Sequence, residues 1–337
     1  MEPLQPGDPS QVGIYRLHNR LGAGGMGQVY LGTTPGGRLV AVKVIRANVT
    51  ADPEYRRRLA REVEAARSVG GFHTAHVVDA DASADPPWMV TAFIAGPSLQ
   101  AAIRDNGPLT VVAATALGAA LAEGLAAIHA CGLLHRDLKP GNILMATDGP
   151  RIIDFGIARP VEASTLTGKD VLVGTYSYMS PEQYRDDILT PASDVFALGC
   201  VLAFAATGHA PFDAGTTYQI MYNVLESQPD LNGIEPGPFR AVLERCLAKD
   251  PRTRPLLAEV LAELSRGVTE SGQIPTQAIA PLVTSAPVAA PATPPSEPPA
   301  LRPPQERHES VTIIQQANAA PGSHVIQIAG NAKNEGD

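Results

Sequence analysis

The sequence has few cysteines and no excess of basic charge. Its 337 residues contain three cysteines, Cys131, Cys200 and Cys246, which lie far apart. An odd number of distant cysteines excludes a disulfide framework and lacks the close spacing of a metal site, so reduced thiols are expected. A formal net charge of −8 argues against nucleic acid as a partner, because binding to phosphates requires a basic surface.

Targeting signals are also missing. Residues 1–10 are Pro-rich and acidic, without the basic and apolar regions of a signal peptide. No run of roughly 20 apolar residues stands out as a membrane span. These absences predict a soluble, cytoplasmic protein without a membrane span, in which residues 1–13 form a flexible N-terminal segment.

The composition changes sharply near residue 267. Residues 14–266 alternate apolar periodicity with turn signals, which is typical of a folded domain. Residues 267–308 are rich in Pro and Ala and hold too few large apolar side chains to offset the entropy of ordering the chain, so they are predicted to form a semi-extended linker. Residues 309–337 hold two short β-like stretches. This tail is expected to be disordered, with the alternative that it donates a strand to a partner.

The folded part reads as a small β-rich region followed by a larger helical one. Alternating residues predict strands at 15–21, 28–33 and 39–45, and apolar spacing predicts a helix at 53–69. Further helices are expected at 109–131, 193–207, 218–226, 239–248 and 256–266. The pattern indicates an α+β fold with two lobes.

A glycine-rich loop joins the first two predicted strands. Its residues, which fit the pattern G-x-G-x-x-G, are Gly22, Ala23, Gly24, Gly25, Met26 and Gly27. In dinucleotide-binding folds a helix follows such a loop, but here the following residues alternate as a strand. The loop is therefore a flap over phosphates, or else an ordinary Gly-rich hairpin, and the pattern alone does not decide between them.

Two charged residues stand where apolar ones are expected. Lys43 lies in a valine-rich strand, and Glu62 lies on the apolar face of the next predicted helix. A buried charge needs a partner. An ion pair between Lys43 and Glu62 would satisfy both residues and present the Lys43 ammonium to the phosphates of a nucleotide.

Two polar stretches carry the groups that phosphoryl transfer requires. The first is His-Arg-Asp-Leu-Lys-Pro-Gly-Asn at 135–142, and the second is Asp-Phe-Gly at 154–156. Asp137 suits the role of accepting a proton from an attacking hydroxyl, and Lys139 offers a cation for a phosphate. Asn142 and Asp154 offer oxygen ligands for Mg²⁺.

Together with the glycine loop and Ala-Val-Lys at 41–43, these stretches resemble the eukaryotic-type serine/threonine protein kinases, particularly their bacterial branch. The resemblance covers 14–266 and implies a kinase domain with an N-lobe (14–91), a hinge (92–94) and a C-lobe (95–266). It further implies ATP and Mg²⁺ as cofactors, with Mn²⁺ as a substitute, and protein substrates.

The resemblance assigns roles to further residues. Thr175 and Lys139 contact Asp137 in this family, and Arg136 is the sign of activation by phosphorylation, with Ser164, Thr165 and Thr167 as candidate acceptors. Asp194 is expected to anchor the catalytic loop, and Arg254 to pair with Glu182. Self-association would allow phosphorylation in trans, and the tail is a candidate for recruiting a partner. The implied nucleotide pocket comprises Leu21, the loop from Gly22 to Gly27, Val29, Ala41, Lys43, Thr91, Ala92, Phe93, Ile94 and Leu144.

Three other functions were weighed against a protein kinase. A pseudokinase scaffold has no chemical need for the complete set of Lys43, Glu62, Asp137, Asn142 and Asp154. A small-molecule phosphotransferase has no need for the segment 174–182, which resembles a platform for an extended peptide. A dinucleotide oxidoreductase requires a helix after the glycine loop, and none is predicted.

Overall fold

The computed structural model describes residues 1–24, 27–46, 53–154 and 173–271. In its N-terminal part, seven strands form one sheet, and every pair of neighbours in it is antiparallel. The strands are β1 (Glu2–Pro3), β2 (Gln11–Val12), β3 (Tyr15–Gly24), β4 (Gly27–Thr33), β5 (Leu39–Ile45), β6 (Val77–Asp81) and β7 (Trp88–Ala92). Their order is β1-β3-β4-β5-β7-β6, and β2 also pairs with β3.

Strand β5 shows how the sheet separates a core from a cleft. Val40 and Val42 are buried on one face, whereas Ala41 and Lys43 point to the other face and are half-buried. The period of two along a strand produces this alternation. The valines of β5 would also be compatible with burial on both faces, but Ala41 and Lys43 remain partly accessible. Lys43 therefore lies on the face that ligands can reach.

The N-terminal segment is part of the sheet, which corrects the prediction of a flexible 1–13. Both β1 and β2 pair with β3. Between them, Asp8 accepts hydrogen bonds from the Arg20 guanidinium at 2.6 Å and from the Tyr30 hydroxyl at 2.8 Å. These bonds, led by the one from Arg20, hold the pKa of Asp8 well below its usual range. The contacts depend on residues distant in sequence, which is why composition did not reveal them.

Helix α1 (Pro53–Arg67) packs through its predicted apolar stripe, in which Leu59, Val63 and Ala66 are buried. Strand β6 follows it in a segment for which no strand was predicted. Its sequence Val-Val-Asp-Ala-Asp does not read as a strand, but Asp79 accepts a hydrogen bond from the Tyr15 hydroxyl at 3.0 Å. Pairing with β7 overrides the weak local preference.

The C-terminal part is mainly helical and carries one hairpin. Its core includes Leu117, Leu121, Phe196, Leu198 and Val201, all fully buried. Its elements are α2 (Leu99–Asn106), α3 (Val111–Ala130), β8 (Ile143–Ala146), β9 (Gly149–Ile152), α4 (Pro181–Tyr184), α5 (Pro191–Thr207), α6 (Thr217–Glu226), α7 (Pro238–Cys246) and α8 (Leu257–Ser271). This arrangement confirms the predicted two-lobed α+β fold.

Helix α3 begins at an N-cap, where the Thr110 hydroxyl accepts from the backbone N–H of Ala113 at 3.3 Å. By length and composition α3 is apolar enough to cross a membrane, with a mean hydropathy of 1.9. That corrects the prediction that no such stretch exists. In the structure, 67% of this stretch is buried within the protein. A helix that is apolar all round is expected in the core of a large domain as well as in a membrane.

Candidate active site

The loop that carries Asp137 follows α3 and is anchored by one buried carboxylate. Asp194, near the start of α5, is 1% exposed. It accepts hydrogen bonds from the backbone N–H groups of His135 at 2.8 Å and Arg136 at 2.9 Å. A third contact, 2.7 Å to Nε2 of His129, was missed in the sequence, where a single His at the end of an apolar helix gives no signal. The predicted anchoring role of Asp194 agrees with these contacts.

His135 supports the loop from below as a neutral side chain. It is fully buried, and burial lowers the pKa of its imidazole. Nε2 lies 3.2 Å from the carbonyl of Ile153, and Nδ1 lies 3.3 Å from the backbone nitrogen of Asp137. Nε2 therefore carries the hydrogen and donates a hydrogen bond to the carbonyl of Ile153, while Nδ1 accepts a hydrogen bond from the N–H of Asp137.

Asp137 stands among donors that fix its carboxylate. Lys139 Nζ lies 3.0 Å from Oδ2 of Asp137. The Asn142 amide donates to the backbone carbonyl of Asp137 at 2.8 Å and to Oδ2 at 3.3 Å. Because the Asn142 nitrogen is committed to these bonds, the orientation of its amide leaves the oxygen Oδ1 as a ligand.

Asp154 is brought beside this group by the hairpin β8–β9. The N–H of Ile153 donates to the carbonyl of Asn142 at 2.9 Å, so the next residue emerges next to Asn142. Asp154 has a φ of 57°, a left-handed conformation that turns the chain sharply after β9. Lys43 Nζ lies 3.0 Å from Oδ1 of Asp154. The structure thus brings the predicted residues of both lobes to one place.

The predicted ion pair between Lys43 and Glu62 is not formed, which corrects the sequence interpretation. Glu62 Oε1 lies 2.7 Å from Nη1 of Arg136, and Lys43 pairs with Asp154 instead. Arg136 has a φ of 62°, and its side chain extends from the catalytic loop to helix α1. Lys43 and Glu62 each have a partner of opposite charge, but they do not pair with each other. Asp154 is the partner of Lys43, and Arg136 is a partner of Glu62.

Two different physical reasons explain why glycine occupies positions in the glycine loop. A Cβ on Gly22 or Gly24 would meet nothing within 4 Å, so these positions face open space. A Cβ on Gly27 would collide with the carbonyl oxygen of Val44 on β5. Gly27 is therefore required by strand packing, while Gly22 and Gly24 leave room for a ligand. Gly25 and Met26 lie outside the described residues.

The predicted adenine surfaces meet around the cleft. Val29 stands opposite Lys43, and Ala41 stands opposite Thr91. All of these side chains are half-buried, as is Leu144 on β8, where a bridge to Ser98 fixes the start of α2. Strand β7 ends at Ala92, so the chain passes between the lobes where the hinge was predicted. Ala92 is exposed, and Leu21, Phe93 and Ile94 are half-buried.

The segment preceding α4 is described only in part. Thr175 lies in a short 3-10 helix, Val173–Tyr178, and its side chain is outside the described residues. The candidate acceptors Ser164, Thr165 and Thr167 are outside them as well. Beyond this segment the predicted pair forms: Arg254 donates to both oxygens of Glu182, at 2.7 and 2.9 Å.

Gln183 makes two contacts that the sequence analysis did not predict. Its side-chain oxygen accepts from the N–H of Ser180 at 2.9 Å, closing the capping box at the start of α4. Its side-chain nitrogen donates to the carbonyl of Arg136 at 2.9 Å. The S-x-x-Q pattern reveals the first bond, whereas the second joins residues 47 positions apart and has no local signature.

No cluster of three His, Cys, Asp or Glu side chains that could hold a metal occurs among the described residues. Asn142 and Asp154 supply two oxygen donors, which suits a hard cation that takes its other ligands from phosphates and water. The open space beside Gly22 and Gly24 is where such phosphates would fit. The residues present therefore fit a metal–nucleotide pair.

Comparisons with known proteins agree with this geometry. The family described as "Protein kinase domain" matches residues 15–264. The probable serine/threonine-protein kinase PkwA of Thermomonospora curvata is 57% identical over 265 residues, which are 79% of this chain and 36% of the relative. The serine/threonine-protein kinase AfsK of Streptomyces coelicolor is 46% identical over 273 residues, 81% of this chain and 34% of that protein. The chain thus spans about a third of these relatives.

A solved structure is similar as well. The crystal structure of the Mycobacterium tuberculosis PknI kinase domain matches with a TM-score of 0.61 and 27% identity, covering 78% of this chain and 99% of that one. The family uses ATP with a divalent metal ion, which the donors described above fit. The predicted resemblance is confirmed: the chain belongs to the protein kinase family and, within it, to the bacterial eukaryotic-type serine/threonine kinases.

Proposed function

We propose that this protein transfers the γ-phosphoryl group of ATP to serine and threonine hydroxyls of proteins. The proposal rests above all on two contacting groups, one in which Lys139 and Asn142 contact Asp137 and one in which Lys43 contacts Asp154. The backbone bond from Ile153 to Asn142 connects the two groups. Phosphoryl transfer is catalysed mainly by positioning and by charge, and this set supplies both.

Asp137 accepts the proton of the substrate hydroxyl while the hydroxyl oxygen attacks the γ-phosphorus. The bond to the oxygen that bridges the β- and γ-phosphates breaks, and ADP leaves with that oxygen. Lys139, 3.0 Å from Asp137, lies where it can neutralise charge on the transferred group. Thr175, whose side chain lies outside the described residues, is proposed as a further contact of Asp137 that would favour a serine or threonine substrate.

Asn142 and Asp154 are proposed to hold the metal, which supplies charge neutralisation when bound. We expect Mg²⁺, with Mn²⁺ as a substitute. Lys43 binds the α- and β-phosphates, and Glu62 holds Lys43 in the active state. Residues 21–27 cover the phosphates, and the adenine is held by Val29, Ala41, Thr91, Ala92, Phe93, Ile94 and Leu144.

Incubation with labelled ATP, Mg²⁺ and a generic protein substrate tests the proposal. Asp137→Asn removes the proton acceptor and should reduce transfer by about 10²–10⁴-fold, with little effect on ATP binding. Asp230→Asn, a change at an exposed carboxylate, is the matched control. A wild-type protein that binds ATP but transfers no phosphate with either metal would instead indicate a binding scaffold.

We further propose that the kinase phosphorylates itself at Thr165, Thr167 or Ser164. The Arg136–Glu62 pair supports this proposal, because a phosphate of −1.5 to −2 charge outcompetes a carboxylate for a guanidinium. Capture of Arg136 by the phosphate would release Glu62 to pair with Lys43.

The double variant Thr165→Ala, Thr167→Ala should incorporate less phosphate and lose activity by at least about tenfold. Ser10→Ala, at an exposed position of the N-terminal segment, serves as the control. Unchanged phosphate incorporation and unchanged activity in the double variant would contradict self-activation at these residues. Mass spectrometry of the wild-type protein distinguishes Ser164 from the two threonines.

The remaining proposals concern the protein's surroundings. We expect a cytoplasmic protein that binds no nucleic acid, with transient self-association for phosphorylation in trans. The domain is proposed to include 1–13 and 267–271 besides 14–266, because β1 and β2 pair with β3 and helix α8 continues to Ser271, which corrects the predicted start of the linker at 267. Its lobes are proposed to meet at 92–94. The rest of the predicted linker (272–308) and the tail (309–337) lie outside the described residues, and the tail is a candidate for recruiting a partner.

A further inference from the structure

A groove with a volume of 410 Å³ lies between helices α3 and α8. Ala119 and Ala120 line it from α3, and Leu261 and Val268 line it from α8. None of the residues that line the groove belongs to the candidate active site. Its volume is within the range of sites that bind a few side chains of a ligand.

One end of the groove is closed by Phe72, which is 52% exposed although it is large and apolar. The Arg151 guanidinium lies 3.9 Å above the Phe72 ring, and the His73 ring meets its edge at 5.1 Å. These contacts hold the ring in place while leaving part of it uncovered. The lining also includes the carboxylates of Glu123 and Asp148. The apolar side chains of α3 and α8, which we call the floor, fit an apolar, uncharged segment.

The chain itself leaves α8 at this groove. Val268 and Thr269 line it, and the helix ends at Ser271. The next twelve residues, 272–283, carry no charge and include Ile274, Ile279, Leu282 and Val283. Ile274 is three residues beyond the helix and reaches up to about 10 Å from its end. In the following stretch, 284–308, the only large aliphatic residues are Val288 and Leu301.

We propose that residues 272–283 occupy the groove of the same molecule, with aliphatic side chains against its floor and against Phe72. Attachment to α8 raises the effective concentration of the segment to the millimolar range, so weak apolar contacts suffice. Pro275 and Pro281 restrict the unbound chain and lower the entropy lost on docking. Phe72 lies between α1 and β6, so the docked segment would contact the connection that leads from the helix carrying Glu62. The proposal does not depend on phosphoryl transfer.

Disulfide trapping in the full chain tests the contact. In a Cys131→Ser background, Ala119→Cys is combined with single cysteines at each position from 276 to 283 and at Val288, and oxidation rates are compared. A free tail gives rates that fall smoothly with loop length, by about threefold between Ile279 and Val288, which lie 8 and 17 residues beyond Ser271. Docking predicts at least one position about tenfold or more above that curve. A smooth decline, or trapping between two molecules, would overturn the proposal.

Hydrogen exchange provides a second readout. Backbone N–H groups within 276–283 should exchange at least about tenfold more slowly than those in 284–300. Ala119→Trp fills the groove and should abolish this difference, whereas Val111→Trp, at a position 44% exposed on the same helix, should preserve it. Fast exchange in the wild-type protein, or slow exchange that survives Ala119→Trp, would contradict docking in the groove.

Discussion

Two arginine–glutamate pairs with the same closest distance behave as different kinds of interaction. Arg254 and Glu182 approach to 2.7 Å with side chains 0% and 4% exposed. Arg136 and Glu62 also approach to 2.7 Å, but their side chains are 25% and 12% exposed. The chemistry is identical, so burial and surroundings decide what each pair does.

Arg254 is held on every side within the C-lobe. Besides Glu182 it donates to the carbonyl of Ala248 at 2.8 Å, and its guanidinium lies 4.9 Å from the centre of the Phe196 ring. Burial by itself would raise the pKa of Glu182, but the hydrogen bonds from Arg254 and Ser193, together with the charge of Arg254, keep that pKa below its usual value. Arg136, in contrast, joins a loop of one lobe to a helix of the other. The first pair is structural, whereas the second can exchange partners.

Removal of Arg254 should produce the largest effect. Arg254→Met leaves the Glu182 charge buried without its cation, so the free energy of unfolding should fall by about 3–5 kcal/mol. Urea unfolding measures the change. Arg252→Met is the matched control, because Arg252 is 86% exposed and pairs with Asp250 at the surface, and it should cost less than about 0.5 kcal/mol. Equal losses in the two variants would show that burial is not what distinguishes the pairs.

His135, adjacent to Arg136 but fully buried, should give an intermediate effect that depends on pH. Burial lowers its pKa in the folded protein below the ordinary value of about 6.5, so as the pH falls through 6.5 the unfolded chain takes up this proton before the folded protein does. The free energy of unfolding should therefore fall as the pH drops from 7.5 to 5.5, by up to about 1.4 kcal/mol per pH unit.

Urea unfolding at several pH values, compared between the wild-type protein and His135→Leu, isolates the contribution of His135. The variant should be less stable at pH 7.5 but should lose less additional stability on acidification. If the free energy of unfolding depends on pH equally steeply in the variant and the wild-type protein, His135 binds its proton equally well in the folded and unfolded states.

The smallest effect is expected from the exchangeable pair. A double-mutant cycle of Arg136→Met and Glu62→Gln in the unphosphorylated protein should give a coupling energy below about 1 kcal/mol, because both side chains are partly solvated. The same cycle with Arg254→Met and Glu182→Gln should give a coupling several times larger. If the Arg136–Glu62 coupling matches the buried one, that pair is not available for exchange.

Much of the fold followed from local patterns. Strand β5 was predicted with its observed ends, and helices α5 and α6 were predicted to within two residues, because alternation and caps are local features. Strands β1, β2 and β6 were missed. They are short and polar, and each one is held by pairing with a strand that lies elsewhere in the sequence.

The candidate site was likewise predictable only in its local features. Residue types together with the resemblance to the kinase family singled out Asp137, Asn142 and Asp154 as candidates, and one loop and one hairpin set their relative positions. The contacts of His129 with Asp194 and of Gln183 with Arg136 were not predicted, since each joins residues that are distant in sequence. The partner of Glu62 was predicted wrongly for the same reason: Arg136, its partner in the structure, is 74 positions away in the sequence.

The sequence by itself determined the kinase family, the α+β architecture and the identity of the chemical groups, because these depend on residue types at short, fixed separations. Only the tertiary structure decided which charges are paired. Coulomb attraction does not depend on sequence separation, and its strength depends on distance and burial. In this molecule those quantities place Lys43 with Asp154, Glu62 with Arg136, and Glu182 with Arg254.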